Sequence, residues 1–175
     1  VVFESAQFMA AFAQWDESGG RYVLGPPLIP AQEEHLPEAA WNPSYELEYW
    51  RHGLELAQSW RHRLGLASDS GWQHVCDHLS PLPQASGVYI AHENAPDTFV
   101  NVNTDHPSML GALGLLPGKS VDTETMRNTL RRVMDEWRWE SAWGWDFPMT
   151  AMTAARLGEG HTAVDALLMD AVKNT

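Results

Sequence analysis

Residues 42–64 read NPSYELEYWRHGLELAQSWRHRL, and this stretch decides the fold. Leu47, Trp50, Leu54, Ala57 and Leu64 recur at helical spacing and form one apolar stripe. Asn42 is placed to act as N-cap, Pro43 suits the first helical position, and Glu46 falls near the positive end of the dipole. Gly65 is the stop. The spacing therefore predicts a long helix whose apolar stripe is covered by the rest of the chain.

The neighbouring segments supply more helices. Phe8, Phe12 and Trp15 lie at i, i+4 and i+7, widened by Met9 and Ala13, which predicts a helix over 3–15 with Trp15 in the core. Trp50 and Trp60 are expected in the core for the same reason. Ser18, Gly19 and Gly20 end that helix, and RYVL at 21–24 reads as a short extended piece. Asp69 caps a helix through Leu79, which Ser80-Pro81 stops. Residues 84–104 are loop with a brief strand at Val88 to Ala91. HPSMLGALGLLPG (106–118) reads as an apolar helix. Asp122 opens another, on which Met126, Leu130, Val133 and Trp137 share a face. WRWESAWGWDF (137–147) is an aromatic loop, Pro148 starts a helix ended by Gly158, and residues 161–172 make the last. The expectation is an all-α fold of about seven helices in hairpins with long loops, forming a single domain over 1–175. Long loops in such a chain are usually functional.

The 175 residues carry 11 Lys and Arg against 23 Asp and Glu, a formal net charge of −12. That balance argues against a nucleic-acid backbone or an anionic membrane as partner, since both require basic surface. Cys76 is the only cysteine, which excludes an internal disulfide and cysteine-rich zinc sites. No apolar run is long enough to span a bilayer, and the first residues lack a signal-peptide pattern, so the compartment is left open. The chain starts at Val1 without Met, directly in an amphipathic segment, and is expected to be a cut through a larger protein or to begin at a processed end. No P-loop, dinucleotide fingerprint, HExxH pair or GxSxG elbow occurs. His74 and His78 have the i, i+4 spacing of a helical metal pair, but no acidic third ligand is nearby, and a solvated face is expected rather than a metal. No cofactor is implied.

Nine Trp fall in every part of the chain. Those in loops, Trp41, Trp143 and Trp145 among them, offer flat apolar faces for sugar rings. Bases are disfavoured because their grooves are normally basic. GPPLIPAQEEH (25–35) holds three prolines, which stiffen a loop, and then presents Glu33, Glu34 and His35. With Asp97, Asp105, Glu140 and Asp146, these carboxylates stand in aromatic or proline-stiffened loops. Cleaving a glycosidic bond needs one protonated carboxyl at the leaving oxygen and a second carboxylate, or phosphate, on the other face. The acid needs a raised pKa, which partial burial among apolar groups or a neighbouring carboxylate provides. Glu33 beside Glu34 in a proline-rich frame is the candidate.

GPPLIPAQEEH followed by NPSYELEYWRHGLELA resembles the catalytic segment of the six-hairpin, (α/α)6-barrel glycosidases, in particular glycoside hydrolase family 65. NTDHPSMLGALGLLPG and WGWDFPMTAMTAARLGEGHTAVDALL resemble later hairpins of the same superfamily, including relatives near family 95. The resemblance implies roughly half of an (α/α)6 toroid, its central-to-late part, with the base or phosphate loop carried elsewhere. It puts Glu33 on the general acid, His35 on the histidine that follows, and Asn42 on an asparagine facing the sugar. Glu34 replaces an aromatic residue. Asp105 and His106 fall on a substrate-contacting Lys-Gln pair, which removes a cation and disfavours a disaccharide phosphorylase. Asp146 would be a substrate contact in another cleft loop. The implied activity is that of an inverting glycoside hydrolase acting on carbohydrate. The alternative is a catalytically inactive helical unit that self-associates through uncovered helix faces, or binds carbohydrate without cleaving it.

Overall fold

The computed structural model describes residues 1–174, and Thr175 of the expected domain lies outside them. The fold is all-α. Its helices are α1 (Val2–Phe12), α2 (Ser44–Arg63), α3 (Ser70–His78), α4 (Thr98–Asn101), α5 (Gly111–Gly114), α6 (Thr123–Glu136), α7 (Asp146–Arg156) and α8 (Gly160–Leu167). The strands form two short antiparallel pairs, β1 (Gln14–Asp16) with β2 (Arg21–Val23) and β3 (Gln84–Ala85) with β4 (Val88–Tyr89).

The 20-residue α2 is the central member. It packs against α1 and α3 on one side and α5 on the other; α5 in turn packs on α7, and α7 on α8. Leu47, Leu54 and Ala57 of the stripe read from the sequence are at most 1% exposed, whereas Leu64, past the end of the helix, is 63% exposed and lies outside the core. Met126, Leu130 and Val133 of α6 and Met149 of α7 are in the same core. Gly114 permits close packing of α5 on α7: a Cβ there would lie 2.7 Å from the Met149 carbonyl oxygen and 2.5 Å from Thr153 Oγ1.

Local chemistry sets the helix ends. Asp69 accepts hydrogen bonds from the Gly71 and Trp72 amides, and Asp122 from the Thr125 amide, as their N-cap positions predict. Gly65 and Gly158 stop α2 and α7 with φ of +71° and +79°. At the start of α2 the sequence expectation is corrected. Pro43 is the N-cap and Ser44 the first helical residue, while Asn42 has φ +52° and caps nothing. Its side chain is fully buried and serves the chain itself. Oδ1 accepts the Leu24 amide at 2.8 Å, and Nδ2 donates to Ser80 Oγ at 3.2 Å. Asn42 thus pins the end of β2 and the 80-loop to the head of α2 and has no exposed surface.

Four further expectations change. The first helix ends at Phe12, because the chain turns at Ala13 into the β1–β2 hairpin, and Trp15 is 39% exposed against Tyr22 and His74. Trp60 is 44% exposed on the outer side of α2, whereas Trp50 packs on the core and its Nε1–H donates to the Met9 carbonyl. The 106–118 helix is a 3₁₀ turn (Ser108–Leu110) leading into the single-turn α5. The last helix ends at Leu167.

One buried charge on α2 holds the loop after α5. Glu48 is 1% exposed, and its two oxygens accept the Lys119 amide at 2.7 Å and the Ser120 amide at 3.3 Å. Glu48→Ala leaves both amides without that acceptor. It is expected to lower unfolding free energy by about 1.5–3 kcal/mol in a denaturant titration. A loss under about 0.5 kcal/mol would show that the contacts are replaceable by water.

Candidate active site

The stiff loop 25–35 begins at Gly25, whose φ of +69° and lack of Cβ let it lie against Ala40; a Cβ would be 2.6 Å from that carbonyl. Its far end is tied down twice. Glu46, in the first turn of α2, accepts the Ala31 amide at 2.6 Å. Gln32 is fully buried and donates through Nε2 to the carbonyls of Val102 and Thr104, at 2.6 and 3.0 Å. Glu33 follows directly. Its backbone N–H donates to Asp105 Oδ2 at 3.0 Å, and its side chain is exposed.

Asp105 is the joint between three loops. It takes the left-handed conformation, φ +58°, and is 8% exposed. Oδ2 receives the Glu33 amide and Oδ1 the Trp143 indole N–H at 2.9 Å. Its amide donates to Ser141 Oγ and its carbonyl accepts the Trp137 indole N–H, both at 2.9 Å. One carboxylate therefore links the proline loop to the aromatic loop 72 and 38 residues away along the chain.

Behind it stands a second pair. Asp146, at the start of α7, is fully buried; both its oxygens lie 3.0 Å from His106 Nδ1, and Oδ2 also accepts the Trp143 amide at 2.7 Å. Nδ1 must then carry a proton, which leaves Nε2 facing Asp105 Oδ1 at 3.6 Å. Burial works against charge on this ring. The Asp146 hydrogen bond and the charges of Asp146, Asp105 and Glu33 outweigh it, and the His106 pKa is raised. Trp145 lies over the imidazole with ring centroids 4.2 Å apart. Trp143 and Trp145 are 50% and 44% exposed, and the Lys173 ammonium is 3.8 Å from the Trp143 ring centroid.

Glu33, Asp105, His106, Trp143, Trp145 and Asp146 are thus brought together. Asp146 has no exposed surface and holds the His106 ring and the Trp143 amide in place. Asn42 is outside the cluster. Trp41 is partly exposed, and its carbonyl accepts the Glu93 amide. Glu34 is exposed and its carboxylate takes the Thr104 hydroxyl.

His35 is turned inward and is 8% exposed. It pairs with His92, which sequence reading did not single out. The Asn94 amide donates to His92 Nδ1, so His92 Nε2 carries the proton and donates to His35 Nδ1 at 3.1 Å. Burial lowers both pKa values, that of His92 to about 4, with His35 reinforcing the shift. A neutral His92 stabilises the fold above its unfolded value of 6.5. That contribution is lost as pH falls from about 6.5 towards 4, because the unfolded chain takes up a proton that the folded one refuses. The loss is roughly 3 kcal/mol. His92→Gln is expected to flatten this acid limb when melting temperature is followed between pH 7 and 4; an unchanged limb would assign it to other groups.

The desolvated carboxyl expected at Glu33 occurs instead on α2. Glu46 is 8% exposed, its Oε2 has no hydrogen-bond partner, and burial pushes its pKa up to about 7. Its place on the flank of the apolar stripe, one residue before Leu47, was the available signal. His74 and His78 are exposed and stack on one another at 4.3 Å beside Trp15.

Chemically, the cluster offers an exposed carboxyl on a fixed backbone, a clamped imidazole and two half-exposed indoles. No family model matches the chain, and no curated protein matches it.

Proposed function

We propose that this chain carries the acid side of a glycosidase-type site of the inverting class, with Glu33 as proton donor to the leaving oxygen. The observation that supports it is the Asp105 joint. The three stretches that carry the resemblance to six-hairpin glycosidases are far apart in sequence, yet Asp105, which lies in the second, hydrogen-bonds to Glu33 of the first and Trp143 of the third. Glu33 is exposed where a substrate can reach it, and its main chain is held within 3.0 Å of Asp105. Trp143 and Trp145 supply stacking faces of the kind sugar rings use. His106, with Nδ1 fixed by Asp146, presents Nε2 to a sugar hydroxyl. Neighbouring carboxylates and few cations favour a neutral sugar over a phosphate co-substrate, hence hydrolysis rather than phosphorolysis. The test is turnover of a panel of aryl glycosides, with the first-formed anomer read by NMR. Where turnover occurs with a base carboxylate to take the water's proton, the reading expects a product of inverted configuration; a retained product contradicts it.

A second reading has its own observation. Phe8, Tyr49, Trp60 and Leu64 are 60%, 47%, 44% and 63% exposed along the outer side of α1 and α2, where two apolar-lined grooves meet at Glu4. Exposed apolar area of this kind marks an interface. Sedimentation velocity at micromolar concentration tests it, and a clean monomer would remove self-association.

A further inference from the structure

Two residues before Glu33, Ala31 forms one wall of a small cavity that the acid chemistry leaves unused. The other walls are Tyr45 of α2, Ser108, Leu115, Trp145, and Met149 of α7, and the space is about 50 Å³. One water needs about 10–15 Å³ of such space, so the cavity takes a substituent of a few heavy atoms and not a sugar ring. Its surface is almost entirely carbon, with Ser108 and Tyr45 the hydroxyl-bearing residues among its walls. Trp145 joins the cavity to the His106 cluster, since the same indole lies 4.2 Å from the His106 ring. Ala31 joins it from the other side through Gln32 to Glu33. The cavity thus shares Trp145 with the His106 cluster and stands two residues along the chain from Glu33.

We infer that the cavity receives a methyl-sized apolar substituent of the bound sugar and makes the site prefer methyl-bearing sugars over their unsubstituted parents. This rests on the carbohydrate reading above and adds a substrate class to it. A hydroxymethyl group placed there would give up its water for a wall that is mostly carbon, which costs free energy. A methyl group gains from the same transfer. Two kinds of sugar carry such a group, 6-deoxy sugars at C6 and N-acetylated sugars at the end of the acetamido arm.

The experiment uses the full chain with ¹³C-methyl methionine and ¹⁵N indoles, titrated with matched pairs: 6-deoxyglucose against glucose, 6-deoxygalactose against galactose, and N-acetylglucosamine against glucosamine. The expected result is movement of the Met149 methyl and Trp145 indole signals, with the methyl-bearing member of at least one pair binding about fourfold tighter, the worth of one buried methyl. The pair that shows the preference identifies the source of the methyl. Leu115→Phe, at a rim position 43% exposed, narrows the cavity and is expected to erase the preference. Equal affinities within every pair while Trp143 and Trp145 respond would overturn the cavity's role and leave the carbohydrate reading standing. A preference that survives Leu115→Phe would overturn it too. Silence of both indoles towards every sugar would overturn both.

Discussion

Glu33→Gln is expected to lower hydrolysis of an alkyl glycoside by about 10²–10⁴-fold, the usual contribution of a general acid, with the circular dichroism and melting temperature unchanged. The fold is insensitive because the Glu33 side chain is exposed; the link to Asp105 runs through its backbone amide, which Gln keeps. The loss should depend on the leaving group. An alkoxide must be protonated as it departs, whereas a dinitrophenolate needs no acid, so the penalty should shrink towards unity for the latter. Glu34→Gln, at a carboxylate that takes the Thr104 hydroxyl, should cost far less. Equal turnover of wild type and Glu33→Gln on the alkyl substrate would remove Glu33 from the mechanism.

Asp146→Ala is the largest expected effect on stability, a loss of roughly 3–5 kcal/mol, typical of breaking a buried charged pair from one side. The variant leaves the Trp143 amide and the His106 Nδ1–H without an acceptor in a site where Asp146 has no exposure. His106 should also change sign. With its hydrogen-bonded partner gone, burial is the main influence left, and its pKa should fall instead of rising. The linkage follows from the wild-type direction. A raised folded pKa contributes stability that is fully present below the unfolded value of 6.5 and is lost as pH rises through the folded value. The penalty of Asp146→Ala should therefore be greater at pH 6 than at pH 9. Denaturant titrations at the two pH values, with His106 followed by NMR, check both statements; a penalty that does not vary with pH would mean that His106 is uncharged in the pair.

What was legible in the sequence is what short-range physics decides. The Leu47, Leu54 and Ala57 part of the α2 stripe and the caps at Asp69 and Asp122 depend on residues within a few positions, and they appear as read. Trp15 was misplaced because helical spacing continues through a chain that has already turned at Ala13; pairing of Trp15 with Tyr22, across the hairpin, decides its position. The 106–118 run is apolar enough for a helix, yet Gly111 and Gly114 and the packing against Tyr45 and α7 keep only one turn regular. In the site, residue types were legible and partners were not. Nothing local announces that His35 meets His92 57 residues later, or that Asn42 spends its amide on Leu24 and Ser80. Asp146 reads as a loop carboxylate, and only the closure of α7 onto His106 shows it to be a buried support.

The central claim is that the loops joined by Asp105 form a sugar site, and the most direct measurement is a titration of the ¹⁵N indole signals of all nine tryptophans with a panel of monosaccharides and aryl glycosides. The account predicts saturable shifts of Trp143 and Trp145, which flank His106, while the buried Trp72 and the outer Trp60 stay in place. Flat curves for Trp143 and Trp145 across the panel, or shifts confined to Trp60, would contradict it.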